Sequence, residues 1–165
     1  MNYAKINPTD IANGPGVRVS LFVTGCRNRC KGCFNTSTWD FNNGELYSTV
    51  TLIQLLKYLE PDYISGLSIL GGDPFEPENI DEVTKLCKYV KGKYPNKTIW
   101  VYTGYIYEDL KDLEIMNYID VLVDGPFIES LKDISLVFKG SSNQRIIDIP
   151  NTLKTKQIIL WKDED

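Results

Sequence analysis

Apolar residues run almost unbroken through "VRVSLFVTG" at positions 17–25, as in a strand buried on both faces. The spacing then changes. In "STVTLIQLLKYLE" (48–60) Leu52, Leu55, Leu56 and Leu59 recur at helical intervals, with Ser48 or Thr49 placed to cap the first turn. "GLSIL" (66–70) reads as a short strand, followed by a helix over about 79–92 with Ile80, Val83, Leu86, Cys87 and Val90 on one face. "TIWVYTG" (98–104) predicts a strand, "YEDLKDLEIMNYI" (107–119) a helix and "DVLVDGPF" (120–127) another strand. Further strands are expected at "ISLVFKG" (134–140), "QRIIDI" (144–149) and "KQIILW" (156–161). This alternation specifies an α/β fold with a mostly parallel sheet and right-handed crossovers. No repeat, low-complexity tract or linker interrupts the pattern, so residues 1–165 are expected to form a single domain.

Composition narrows the function classes. Apolar residues make up 42% and charged residues 24%, ordinary values for a soluble globular protein. A net charge of −4 argues against a nucleic-acid partner, which calls for a basic patch. The amino-terminal "MNYAKINPTDIANGPG" has the apolar run of neither a signal peptide nor a membrane anchor, and no apolar run in the chain is long enough to span a bilayer. A cytoplasmic location with reduced cysteines is the expectation.

The candidate chemistry falls at strand ends. "TGCRNRC", "GGDP", "TGY" and "DGPF" each follow a predicted strand, and the carboxyl edge of a parallel sheet is where α/β proteins bind ligands. Cys26, Cys30 and Cys33 form C-x3-C-x2-C, three of only four cysteines in a chain without histidine. Structural zinc wants four Cys or His ligands and is left one short; a [4Fe–4S] cluster on three thiolates keeps one iron open. Arg27, Arg29 and Lys31 alternate between the thiols, either to offset an anionic cluster, to dock an acidic electron donor, or simply as a solvated loop. Gly71 and Gly72 permit close backbone approach, Asp73 offers a carboxylate to an ammonium group, and Pro74 fixes the turn. Thr103, Gly104, Asp124, Asn143 and Arg145 are weaker candidates of the same edge or its loops, and Cys87 belongs with the core.

The cysteine loop resembles that of the radical S-adenosylmethionine (radical-SAM) superfamily. The resemblance implies that SAM chelates the open iron through its amino and carboxylate groups and that one-electron cleavage gives a 5′-deoxyadenosyl radical. It also implies that Gly71, Gly72 and Asp73 hold the methionine amino group, with Asp73 in place of the usual Glu. The superfamily's aromatic residue before the third cysteine is Gly32 here and Phe34 follows instead, so adenine is assigned to Phe34 or to backbone near Gly32. "NGPGVRVSLFVTGCRNRCKGCFN", "LGGDPFEPEN", "WVYTGY", "VLVDGPF" and "FKGSSNQRIID" together are similar to the family that activates anaerobic ribonucleoside-triphosphate reductases. That likeness implies a shortened, incomplete (β/α) barrel, glycyl-radical formation on the reductase large subunit, and reduced flavodoxin or a similar electron donor. A radical-SAM enzyme acting on a small molecule or on another glycyl-radical enzyme is the alternative within the superfamily. A non-catalytic zinc or electron-transfer module is the alternative outside it.

Overall fold

A computed structural model describes residues 1–33 and 38–163. Strands β1 (Asn2–Asp10), β2 (Val17–Val23), β3 (Glu45–Leu46), β4 (Ile64–Gly71), β5 (Thr98–Tyr102), β6 (Val121–Asp124) and β7 (Arg145–Asp148) form one sheet in the order β3-β1-β2-β4-β5-β6-β7. Its centre, β2-β4-β5-β6, is parallel; β1 and β3 on one side and β7 on the other are antiparallel margins. The sheet ends at β3 and β7 without closing, as an incomplete barrel does.

Alternation along the central strands divides the core. Val19, Leu21 and Val23 of β2, Leu67 and Ile69 of β4, Ile99 and Val101 of β5 and Leu122 of β6 pack with helices α1 (Thr49–Leu59) and α2 (Ile80–Lys93). Ser48 caps α1, its N–H donating to Thr51 Oγ1 at 3.1 Å. Asp81 and Glu82 in the first turn of α2, and Lys91 and Lys93 in its last, complement the helix dipole. Cys87 lies wholly within this core, and burial pushes its thiol well above the ordinary range.

The intervening strand positions turn to the opposite face. There a fully buried Arg18 donates to Ser68 Oγ (2.8 Å), Thr98 Oγ1 (2.9 Å) and three carbonyls, those of Pro15, Leu67 and Thr98. Ser68 in turn donates to Asn13 O at 2.6 Å, so this pair secures the 11–16 loop beneath the sheet. Burial lowers Arg18 to about 10, which leaves it cationic at neutral pH. Beside it Trp100, Phe138 and Trp161 meet edge to face, with centroids 4.9 to 6.1 Å apart.

Four stretches of the sequence pattern fold differently from expectation. Residues 107–119 break into α3 (Tyr107–Leu110) and a 3-10 turn (Glu114–Asn117), because their apolar positions do not share one helical stripe; extended Leu113 lets Ile115 and Met116 turn inward. The run 134–140 is not a strand: Asp133 accepts from both the N–H and the hydroxyl of Ser135, and that local turn competes with a ladder. In 156–161 only Leu160 pairs, with Ile147, while the preceding segment forms α4 (Ile149–Thr155), started by Asp148 accepting from Asn151 N–H and by a proline in the first turn. β1 escaped the apolar pattern because it is a largely polar, bulged strand near the margin. Among the described residues no helix is long and apolar enough to cross a membrane.

Arg18→Leu is expected to lower unfolding free energy by about 3 kcal/mol, since it orphans buried acceptors and frees the 11–16 loop. Cys87→Ala is expected to cost only about 1 kcal/mol, a small core truncation. Urea unfolding followed by far-UV circular dichroism measures both.

Candidate functional site

β2 and β4 run in parallel register to Val23 opposite Gly71, and the chain continues the pairing beyond both strands. Gly72 N–H donates to Val23 O and Asp73 N–H to Gly25 O, each at 2.8 Å. These two bonds bring the start of the cysteine loop against the glycine pair. They also explain the glycines: a Cβ on Gly71 would lie 2.5 Å from Val23 O, and one on Gly72 2.6 Å from Gly25 O and 2.8 Å from Thr38 O. The base of the cysteine loop is closed by Gly25 N–H to Thr38 O (2.6 Å) and Cys26 N–H to Trp39 O (3.1 Å). Asn79 locks the corner from behind, donating to Thr24 O and Asp73 O.

The expected convergence on one edge is present. Cys26, Cys30 and Cys33 line a single cleft with Gly71, Gly72 and Asp73. Thr103 and Gly104 from the end of β5, and Gly125 and Phe127 beyond β6, complete the same walls. Pro74, next in the chain after Asp73, is buried and lies outside the cleft walls. Gly32 sits on the exposed outer turn of the loop, beside Glu129. Phe34 lies outside the described residues.

Asp73 is fully buried, and its oxygens meet only donors: Phe75 N–H (3.0 Å), Gly104 N–H (2.9 Å), the Thr103 hydroxyl (2.9 Å) and Asn28 Nδ2 (2.9 Å). Burial raises its carboxyl to about 6 against the pull of those donors, and neighbouring Glu76 adds to the rise. Glu76, also fully buried, accepts from Arg27 N–H and Nη1 at 3.0 Å and from the Tyr105 hydroxyl. Arg27 lies over the Phe41 ring and reaches on to Glu78 at 2.5 to 2.8 Å. The loop that follows the first cysteine is thus fastened to the loop that follows the glycines.

The three loop cysteines are part-buried in the wall of the cleft. Burial raises the Cys26 thiol, opposed by N–H groups of Asn28 and Arg29; burial raises Cys30 too, opposed by the Phe127 N–H. Such thiols keep their protons until a metal displaces them. Among the described residues no three Cys, Asp or Glu side chains converge on a single-ion site. The cleft also contains unused polarity. Trp39 Nε1 and the Tyr102 hydroxyl are buried with no hydrogen-bond partner among the described residues, and both side chains line it. Three soft donors, a wall kept open by glycines and two orphaned donors fit an iron–sulfur cluster with a polar ligand beside it.

Some assignments shift. Asp124 is buried in a pair with Arg145 (2.5 to 3.0 Å) and accepts Tyr107 N–H, so it braces the edge from outside the cleft walls. From the 139–148 loop it is Gln144 that lines the cleft; Asn143 bonds Pro126 O and Arg145 bridges Asp124 and Glu108. Asn28, Trp39, Glu76, Tyr102 and Gln144 were missed. Only Tyr102 carried a usable signal, its place on the face opposite Val101 at the carboxyl end of β5.

Comparison with known proteins agrees with this geometry. Residues 12–147 match the family described as a 4Fe-4S single cluster domain. The chain is 47% identical over 146 residues to the anaerobic ribonucleoside-triphosphate reductase-activating protein of Enterobacteria phage T4, covering 88% of this chain and 93% of that one. Proteins of the same name from Escherichia coli K12 (43% over 148 residues, covering 87% and 96%) and Vibrio cholerae (44% over 150 residues, 88% and 97%) are similar over the same extent. The chain belongs to the 4Fe-4S single cluster domain family and, by these relatives, to the family of anaerobic ribonucleoside-triphosphate reductase-activating proteins.

Proposed function

We propose that this protein is an activating enzyme which cleaves S-adenosylmethionine reductively and generates a glycyl radical on the large subunit of an anaerobic ribonucleoside-triphosphate reductase. The observation that supports it best is the cleft in which all three loop cysteines face the glycine pair and Asp73. Cys26, Cys30 and Cys33 would anchor three irons of a [4Fe–4S] cluster. When bound, that cluster and SAM supply one-electron cleavage of the sulfonium bond and the hydrogen-abstracting chemistry.

The chain's own role is binding and orientation. Gly71 and Gly72 present bare backbone to the methionine end of SAM, while buried Pro74 holds their turn. Three of the donors on Asp73 belong to the backbone and to β5's end; the fourth, Asn28, is a loop side chain. The ionised Asp73 carboxylate would hold the SAM ammonium, and Asn28, the one loop side chain among its donors, would give way to it. Tyr102 and Trp39 offer their free donors to the remaining polar atoms of the ligand. Phe34, or backbone at Gly32, receives adenine. Arg29 and Lys31, exposed next to Cys30, give reduced flavodoxin or a similar acidic donor a basic landing point in the cytoplasm.

Anaerobic reconstitution with iron and sulfide, reduction, and EPR with and without SAM test this reading. A [4Fe–4S] signal that changes with SAM, followed by a glycyl-radical doublet when the reductase is added, supports it. Stoichiometric zinc with no paramagnetic cluster sinks it.

Cys30→Ala is expected to lose its iron and at least ~100-fold of SAM cleavage while its far-UV spectrum is kept. Cys87→Ala retains both iron and activity. Asp73→Asn is expected to raise the KM for SAM by roughly tenfold. In the parent enzyme that KM rises as pH falls through about 6, where the Asp73 carboxyl gains its proton and stops attracting the ammonium. The asparagine variant is flat over the same range, and initial rates at graded pH decide the matter.

A further inference from the structure

The 128–140 connection between β6 and β7 is built rather than loose. Lys132 pairs with Ser141, Ser142 N–H donates to Leu131 O at 2.9 Å, and Leu136 N–H donates to Asp133 O at 3.2 Å. Phe138, in the left-handed region at φ 63°, anchors it against Trp100 and Trp161. Yet this ordered crest turns apolar side chains to solvent: Ile134 is 93% exposed and Val137 61%, with Leu131 and Ile128 behind them at 40% and 37%. A hydrogen-bonded segment that exposes aliphatic groups at 128, 131, 134 and 137 together offers an apolar surface for a partner to cover.

Where the crest stands identifies what covers it. It joins the cysteine loop through Phe127, whose N–H reaches Cys30, and through Glu129, 4.0 Å from Lys31. Behind it a groove, lined by Ala12, Asn13, Leu136 and Phe138, runs into the cleft and shares Cys33 and Tyr102 with it. Across that groove Ile11 is 74% exposed. A small molecule would need none of these outer contacts. A macromolecule that brings one of its own residues into the cleft must lie on these banks.

We infer that Ile134 and Val137, with Leu131 and Ile128, form the docking crest for the reductase large subunit, which seats an apolar patch beside its radical-bearing glycine there. This inference rests on the activating function proposed above. Residues fully desolvated at the centre of an interface dominate binding while charges at its rim adjust the on-rate.

The test uses the reconstituted full-length protein and purified reductase under anaerobic conditions. I134D/V137D is compared with V50D, which changes a residue on α1 whose exposure (74%) lies between those of Ile134 and Val137. The expected result is on the order of tenfold weaker reductase binding and a matching loss of glycyl-radical yield in I134D/V137D alone. SAM cleavage without reductase stays within about twofold of the parent for both variants, which separates docking from folding and chemistry. Unchanged reductase affinity in I134D/V137D overturns the inference, as does equal weakening by V50D. A smaller oligomeric state in I134D/V137D than in the parent, with reductase affinity retained, overturns the inference and assigns the crest to a second copy of this chain. Failure of the parent protein itself to bind reductase or place a radical on it overturns the activating function, and the docking crest with it.

Discussion

Two backbone hydrogen bonds that run past the end of a parallel strand pair are the constraint on which this molecule turns. Gly72 N–H to Val23 O and Asp73 N–H to Gly25 O exist only because β2 and β4 end in step and because neither glycine carries a Cβ. They set the distance between the cysteine loop and the glycine turn. Everything else at the edge is arranged around that join: Asn79 ties it from behind, Glu76 clasps Arg27 across it, and Asp73 draws in Thr103 and Gly104 from the next strand. An alanine at position 72 would push the cysteine loop away from the glycine turn and open the cleft at its root.

The two faces of the sheet are stabilised by different physics. The helix-covered face is aliphatic, and its burial supplies the driving force for the fold. The opposite face is held by a guanidinium whose five donors are all engaged, with three aromatic rings beside it. A closed barrel would fill such a face with side chains from additional strands. Here the 11–16 loop, Phe138 and Trp161 fill some of it, and a groove remains where they stop short of the cleft. The unfinished barrel thus yields both a stable interior and an entrance.

How far the chain could be read depended on whether a residue acts through its neighbours in sequence or across strands. The central strands, α1 and α2 were legible because their apolar periodicity is local, and the thiols and glycines because their spacing is. Their meeting at one edge followed from parallel topology alone. The segment 134–140 shows the limit. Its apolar content reads as a strand, but a strand needs a neighbour, and here the Asp133 turn and the position of Phe138 deny it one. Asn28 and Glu76 show the same limit within the site. Each is an ordinary polar residue until the fold sets it against Asp73 or Arg27, and no pattern along the chain records that contact.

None of the three loop cysteines belongs to either buried cluster, whereas Cys87 sits in the midst of the larger one. A zinc finger unfolds when its metal leaves because the metal is its core. In this protein the thiols proposed to hold the cluster and the thiol that packs the core are different residues, separated by the closed base of a loop. A change at a loop thiol then leaves the aliphatic core untouched. The edge that carries the chemistry and the framework that carries the edge are thus built from separate residues, and the first can vary while the second keeps its shape.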